Sequence, residues 1–275
     1  MTPRARSVLA SVDLVAAEDT RRTGRLLKGL GISKPLVSLF EGNERERTEE
    51  LLDRLRGGAD VAVVTDGGMP AVSDPGFRLV RACAEEGIDV RVAPGPSAAI
   101  AALVVSGLPT DRFAFEGFLS RQEGPRLRRL EELRGDRRTL VVFESPVRVK
   151  TLLRDLLVAF GDRRIAVARE LTKLHEEVVR GRVSEVLAHL GDAEVKGEVV
   201  VVIEGAGEPV HDLAACVEEA RELVAEGMRK RDASRAVADR RGAAANDIYA
   251  ALVAGPDDGP PRDGPPREGP PDASR

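Results

Sequence analysis

Short apolar runs separated by amphipathic stretches set the rhythm of the first hundred residues. The segments Leu14–Ala17, 36–39 (Leu-Val-Ser-Leu), Val61–Val64 and 90–93 (Val-Arg-Val-Ala) are too short for helices. Each therefore predicts a strand. Between them, residues 20–30, 43–56 and 76–86 place apolar side chains at helical spacing, and the last two stretches end at Gly57-Gly58 and Gly87, where a helix C-terminus is expected. Strand, helix, strand in this spacing implies right-handed crossovers and a parallel, doubly wound α/β sheet. A second set of elements starts after Ser106-Gly-Leu-Pro109. Strands are expected at 113–118, 139–143, 164–168, 177–180 and 198–203, and helices at 122–134, 146–160 and 182–190, which predicts a mixed sheet. Residues 212–226, 230–240 and 244–253 read as three short helices. The expected organisation is an N-terminal α/β domain over 1–108, a C-terminal α/β domain over 109–208, a small helical appendix over 209–254 and a tail over 255–275. That tail repeats Gly-Pro-Pro every five residues and carries seven of the 17 prolines, so it is expected to be disordered and to take no part in the chemistry.

Composition narrows the classes. A chain of 275 residues suits two compact units, and 42 Lys+Arg against 46 Asp+Glu give a net charge of −4. Aromatics make up only 3%, so the core rests on Val, Leu and Ala, and a fold built on base-stacking aromatics is disfavoured. Cys83 and Cys216 lie far apart with no Cys-x-x-Cys spacing. That excludes a disulfide framework or a cysteine zinc site within one chain and suits buried thiols in a reducing cytoplasm. The N-terminus has no apolar signal-like segment and no window approaches a membrane span, so a cytoplasmic location without a membrane partner is expected.

In open α/β sheets ligands bind beyond the carboxyl ends of the strands. Four polar loops occupy such places. They are Glu18-Asp19-Thr20, the glycine-rich Thr65-Asp-Gly-Gly-Met-Pro-Ala-Val-Ser-Asp-Pro-Gly76, Pro94-Gly-Pro-Ser-Ala98, with Pro96 suited to a first helical turn, and Glu144-Ser-Pro-Val-Arg148. Taken singly, each also reads as an ordinary turn or helix cap; together at one end of parallel strands they point to a ligand cleft. No P-loop, nucleophile elbow or His-Glu-x-x-His occurs, and His175, His189 and His211 have no partners at metal spacing. A transfer reaction that relies on positioning and on a cofactor carrying the activated group remains, and methyl transfer fits that description.

At these loops the sequence resembles the ribosomal RNA small subunit methyltransferase I family, within the tetrapyrrole-methylase-like S-adenosylmethionine enzymes. The motifs Val15-Ala-Ala-Glu-Asp-Thr-Arg-Arg-Thr-Gly24, Asp66 to Gly76, Pro94-Gly-Pro-Ser97, Glu116-Gly-Phe-Leu119, Phe143-Glu-Ser-Pro-Val-Arg148, Ala168-Arg-Glu-Leu-Thr-Lys173 and Lys196-Gly-Glu198 follow in order, over about residues 3–205. Weaker similarity lies at 231–238 and 247–249. The resemblance implies two α/β domains with the cofactor between them, a homodimer, and 2′-O-methylation of a cytidine ribose in the decoding region of 16S rRNA. It also implies S-adenosylmethionine against Asp66, Gly67, Gly68, Pro70, Ser97 and Ala98. Asp74, Glu144, Arg148, Glu170 and Lys173 are the candidates for substrate positioning or proton removal, unranked, and a simple ion pair is the competing role for Glu170 and Lys173.

Two departures stand out. The family opens with a strand and a Pro-Ile-Gly-Asn-Leu-x-Asp loop, whereas this chain begins inside the helix that follows, so a strand and a cofactor-side loop are expected to be missing. Met69 stands where the family more often has a hydroxyl-bearing Thr. Two arginine-rich windows, 121–138 and 221–241, each hold seven Lys/Arg against four acids and are candidate RNA contacts. The competing readings are another methylase of the same fold, acting on a tetrapyrrole or a protein, and a non-catalytic ribosome-binding protein.

Overall fold

A computed structural model describes residues 1–207, 212–241 and 243–254; the tail expected over 255–275 lies outside them. The chain divides into two compact units, one covering Met1–Ala206 and the other beginning at Gly207.

The first unit opens with α1 (Pro3–Ser11), β1 (Leu14–Ala17), α2 (Thr20–Gly29), β2 (Leu36–Ser38), α3 (Glu44–Arg56), β3 (Val61–Val64), α4 (Phe77–Glu85) and α5 (Ala98–Ser106). The three strands form a parallel sheet in the order β2-β1-β3, with Ala16 opposite Val37 on one side and Val63 on the other. All four residues of β1 are buried because helices cover both faces: Leu14 and Ala16 pack with Leu51, Leu52 and Leu79, and Val15 with Leu9 and Leu27. A continuous apolar run is what a central parallel strand requires.

One expected strand does not form. Residues 90–93 make no ladder, and Val90 and Val92 are largely exposed. The apolar pattern is present, but a strand exists only where a neighbour takes up its N–H and C=O groups. Among the described residues β3 pairs with β1 alone and no strand lies along its other edge. Pro96 also falls outside the first helical turn: α5 starts at Ala98, with Ser97 at the N-cap position making no side-chain cap bond.

The second sheet uses β4 (Phe113–Phe118), β5 (Thr139–Glu144), β6 (Arg164–Arg169), β7 (Glu177–Arg182) and β8 (Val199–Ile203) in the order β4-β5-β8-β6-β7. Only β4 and β5 run parallel, so the sheet is mixed as its sequence pattern suggests. One face packs on α6 (Glu123–Leu133), α7 (Val149–Phe160) and α8 (Val183–Leu190), through Leu140, Val142, Val201 and Ile203 against Leu130, Leu153 and Val186. The other face carries Val141, Ala166, Val200 and Val202, and receives α5 through Ala99, Ala102 and Leu103. Alanines at the contact let the helix backbone approach the sheet closely, and the start of α5 shares a cleft with the carboxyl ends of β3 and β5. Among the described residues the second unit has three helices, α9 (Leu213–Ala225), α10 (Lys230–Arg241) and α11 (Ala245–Ala254), around Cys216, Ala220, Val237 and Ile248.

Candidate active site

The loop after β3 is held from three directions. Asp66 N donates to Glu18 Oε2 (3.0 Å), and Arg22 Nη1 donates to Asp66 Oδ2 (3.1 Å), which ties the loop to the end of β1 and the start of α2. Asp19 beside them serves as the α2 N-cap, accepting from Arg21 N at 2.8 Å. Further along, Glu44 Oε1 accepts from Gly76 N (2.9 Å) and Arg78 N (3.0 Å), replacing a side-chain cap for α4. Between these anchors Ala71 (φ 70°) and Ser73 (φ 61°) adopt left-handed backbone. Each costs on the order of 1–3 kcal/mol and persists only where the surroundings enforce it. Enforcement comes partly from β4, where Gly117 (φ 62°) forms a bulge so close that a Cβ there would stand 3.1 Å from Ser73 Oγ. The strained loop thus presses on the second sheet and carries Asp74 into a cleft.

That cleft has two lobes. The smaller, about 420 Å³, is lined by Asp66, Gly67, Gly68, Ser97, Ala98, Glu144 and Glu198 among others. The larger, about 930 Å³, is bounded by Glu41, Pro75, Arg121, Val147 and Arg148. Glu18, Ser73, Asp74, Phe118 and Ser145 border both. Burial pushes the Asp74 carboxyl up to about 6, and the negative charges of Glu18, Asp66 and Glu198 add to the effect.

At the end of β5 the Glu144 side chain is 1% exposed. Its Oε1 accepts from Ser145 N (2.7 Å) and Arg148 Nε (2.9 Å), whereas its Oε2 and Arg148 Nη1 are buried with no partner among the described residues. Buried polar atoms of this kind call for a further partner, an ordered water or a ligand.

Most of the expected site residues meet here. Asp66, Gly67, Gly68, Asp74, Ser97, Ala98 and Glu144 line the smaller lobe, and Arg148 the larger. Pro70, Glu170 and Lys173 line neither. Pro70 lies behind the loop, against Gly76. Glu170 and Lys173 form the ion pair that was their competing role, with Lys173 Nζ 2.8 Å from Glu170 Oε1, and this holds the Glu170 carboxyl below its usual range. Their partner is the residue the sequence reading left unassigned. Glu198 N donates to Glu170 Oε1 (3.0 Å), Lys173 Nζ lies 3.3 Å from Glu198 Oε2, and Glu198 borders the smaller lobe. Glu18, Arg22 and Phe118 were also unassigned. All four sit inside quoted motifs; Glu18 also lies in a polar strand-end loop, and motif membership is the only signal for the other three.

Residues 1–187 match the family model described as tetrapyrrole (corrin/porphyrin) methylases. The chain is 49% identical over 205 residues to the ribosomal RNA small subunit methyltransferase I of Thermotoga maritima, covering 74% of this chain and 92% of that one. The protein of the same name from Synechocystis is 44% identical over 90% of this chain and 91% of its own, and that of Mycobacterium tuberculosis 46% identical over 92% and 89%. The chain belongs to this methyltransferase family. Among solved structures, the methyltransferase CobJ superposes with a TM-score of 0.56 at 19% identity, covering 75% of this chain and 88% of its own, and shares the fold. Uroporphyrin-III-C-methyltransferase from Thermus thermophilus gives 0.52 at 27% identity, covering 74% and 87%.

Proposed function

We propose that this chain transfers a methyl group from S-adenosylmethionine to the 2′-hydroxyl of a cytidine ribose in the decoding region of 16S rRNA, within the small ribosomal subunit. The observation that carries this reading is the convergence of loop 65–76, the start of α5 and the Glu144 end of β5 on one cleft. The names of the 44–49% identical relatives supply the rRNA.

The smaller lobe suits this cofactor. Glu18, Asp66, Asp74, Glu144 and Glu198 border it with Arg22 as its one cation, and Arg22 is already paired with Asp66. A ligand carrying a sulfonium and an ammonium is favoured there. Among the described residues Asp66 Oδ1 and Glu144 Oε2 are buried acceptors without a donor, and Gly67 and Gly68 leave the backbone bare. When bound, S-adenosylmethionine supplies an activated methyl group on its sulfonium.

The residues do the rest. Asp66 and Gly67-Gly68 form one wall, Ser97 and Ala98 a second, and Pro70 supports the first from behind. Lys173 and Glu170 steer Glu198 over Gly67, where a Cβ would stand 3.8 Å from Glu198 Oε1. Asp74 borders both lobes and is ionised at neutral pH, so it takes the hydroxyl proton. Arg148 Nη1 is free to donate to an acceptor in the larger lobe. Alignment of this kind supplies about 7–11 kcal/mol, against 10²–10⁴-fold, or roughly 3–5 kcal/mol, for the base. The reading also includes a homodimer, checked by sedimentation.

The deciding test supplies methyl-labelled S-adenosylmethionine and small subunits from a strain lacking the modification. Label in 2′-O-methylcytidine supports the proposal. Label at a base or in ribosomal protein, or no label at all, overturns it.

A further inference from the structure

The larger lobe has walls that the methyl-transfer reading leaves without a task. Phe118 is 58% exposed and Val147 78% exposed, although aromatics are scarce in this chain. Arg121 is exposed, and its side chain makes no hydrogen bond or ion pair among the described residues. All three border the same cavity of about 930 Å³.

The Phe118 ring is not a loose surface side chain. It meets Phe143 edge-on at 5.6 Å, and Phe143 meets Phe115 edge-on at 4.9 Å, so an aromatic relay across β4 and β5 backs it. The bulge at Gly117, in left-handed backbone, sets the direction of the strand just before Phe118. This backed and largely exposed ring borders both lobes, as Asp74 does. A flat apolar face with an aliphatic side chain in the same cavity and a free guanidinium at the rim is the chemistry that holds one nucleotide: stacking for the base and charge for the phosphate.

We infer that the larger lobe seats the target nucleotide, with its base stacked on Phe118 beside Val147 and its phosphate on Arg121, which turns its ribose toward Asp74. This rests on the proposed reading that the substrate is RNA. A base seated this way has left its own stack, so Phe118 replaces stacking that the RNA gives up.

The chain contains no tryptophan. Phe118→Trp therefore installs a single reporter in the full-length protein. Cytidine 5′-monophosphate should quench its emission with saturation, ribose 5-phosphate should not, and Arg121→Ala should weaken the quenching by about tenfold. With unmodified small subunits, Phe118→Ala should raise KM by about tenfold or more while leaving the S-adenosylmethionine Kd unchanged, and Phe118→Tyr should restore KM. Absence of quenching by the nucleotide overturns the inference. So does an unchanged KM in Phe118→Ala, or an equal loss of S-adenosylmethionine affinity, which would make Phe118 part of the cofactor wall. If the wild type methylates RNA and the Phe118 variants fail in this way, only the nucleotide seat is lost. If the nucleotide quenches the tryptophan but no RNA is methylated, the seat stands and the reaction reading falls.

Discussion

Asp74 takes its character from its neighbours rather than from its own type. A carboxyl at about 6 in the folded chain against 3.8 in the unfolded one means that the native state binds the extra proton between these values. The sign follows: the native state loses stability as pH rises from about 4 through 6, and the full cost stands above 6. Asp74→Asn should therefore stabilise the protein at pH 7.5, on the order of 1 kcal/mol once solvent screening is allowed for, and much less at pH 4. Urea midpoints at the two pH values check this; an equal gain at both would remove the electrostatic cause. The same variant should lose about 10²–10⁴-fold in methyl transfer, and wild-type turnover should rise with pH around an apparent midpoint near 6. A stabilising change that removes activity marks a group held in place for chemistry. Asp74 was legible in the sequence because it sits in a strand-end loop. Glu198 was not, since its place over Gly67 depends on Lys173 and Glu170, a segment whose φ values of 52° at Glu170 and 67° at Thr172 no spacing rule foretells.

Elements bring these residues together in two places that can be broken separately. Glu144 ends β5 and Arg148 precedes α7, so their contact ties a strand to the helix it feeds. Arg148→Met should cost roughly 2–3 kcal/mol, less than the 3–5 typical of a fully buried pair because Arg148 retains 24% exposure. Glu144→Gln combined with Arg148→Met should cost less than the sum of the single changes; additive costs in a urea double-mutant cycle would show that the contact is not the source. The second place is Gly197, at φ 88°, where a Cβ would stand 2.3 Å from the Glu170 side chain. Gly197→Ala carries about 1–2 kcal/mol of backbone strain and displaces Glu170. It should weaken S-adenosylmethionine binding by calorimetry, whereas Gly207→Ala, with open space around the built Cβ, should not. Element positions were legible wherever a pattern met a partner: the apolar runs at β1, β3 and β8 all became strands. The run at 90–93 had the pattern without the neighbour, and pairing is a property of the sheet rather than of the segment.

At the scale of the whole molecule, a net charge of −4 opposes any polyanion, so RNA must be met by local cations. The two arginine-rich windows looked alike in sequence, and their partners separate them. In the first, Arg126 is buried on Asp155 (2.6 Å), Arg129 bonds Glu116 and Glu132, Arg134 meets Glu131, and Arg138 meets Asp136. Most of its arginines are therefore already paired with carboxylates of the same unit. In the second, Glu218 takes Arg221 and Glu219 takes Arg240 and Arg241. Arg229, Lys230, Arg231 and Arg235 are exposed and make no ion pair among the described residues. They gather in and just before the first half of α10, where the helix dipole disfavours cations, so local helix stability does not account for them. Residues 1–206 form a compact unit with their own cores, and a chain ending there should fold and keep S-adenosylmethionine affinity. It should bind small subunits more weakly, with a shallower dependence of log K on log salt. Replacing the four free cations with Ser should reproduce the change, reducing the slope by up to about 3. Filter binding between 50 and 300 mM salt, a range set by the steepness of the counterion effect at roughly 0.1 M, reads both variants. Equal slopes for all three proteins would assign the RNA contacts to the first unit, with Arg121 at the larger lobe as the cation to test next.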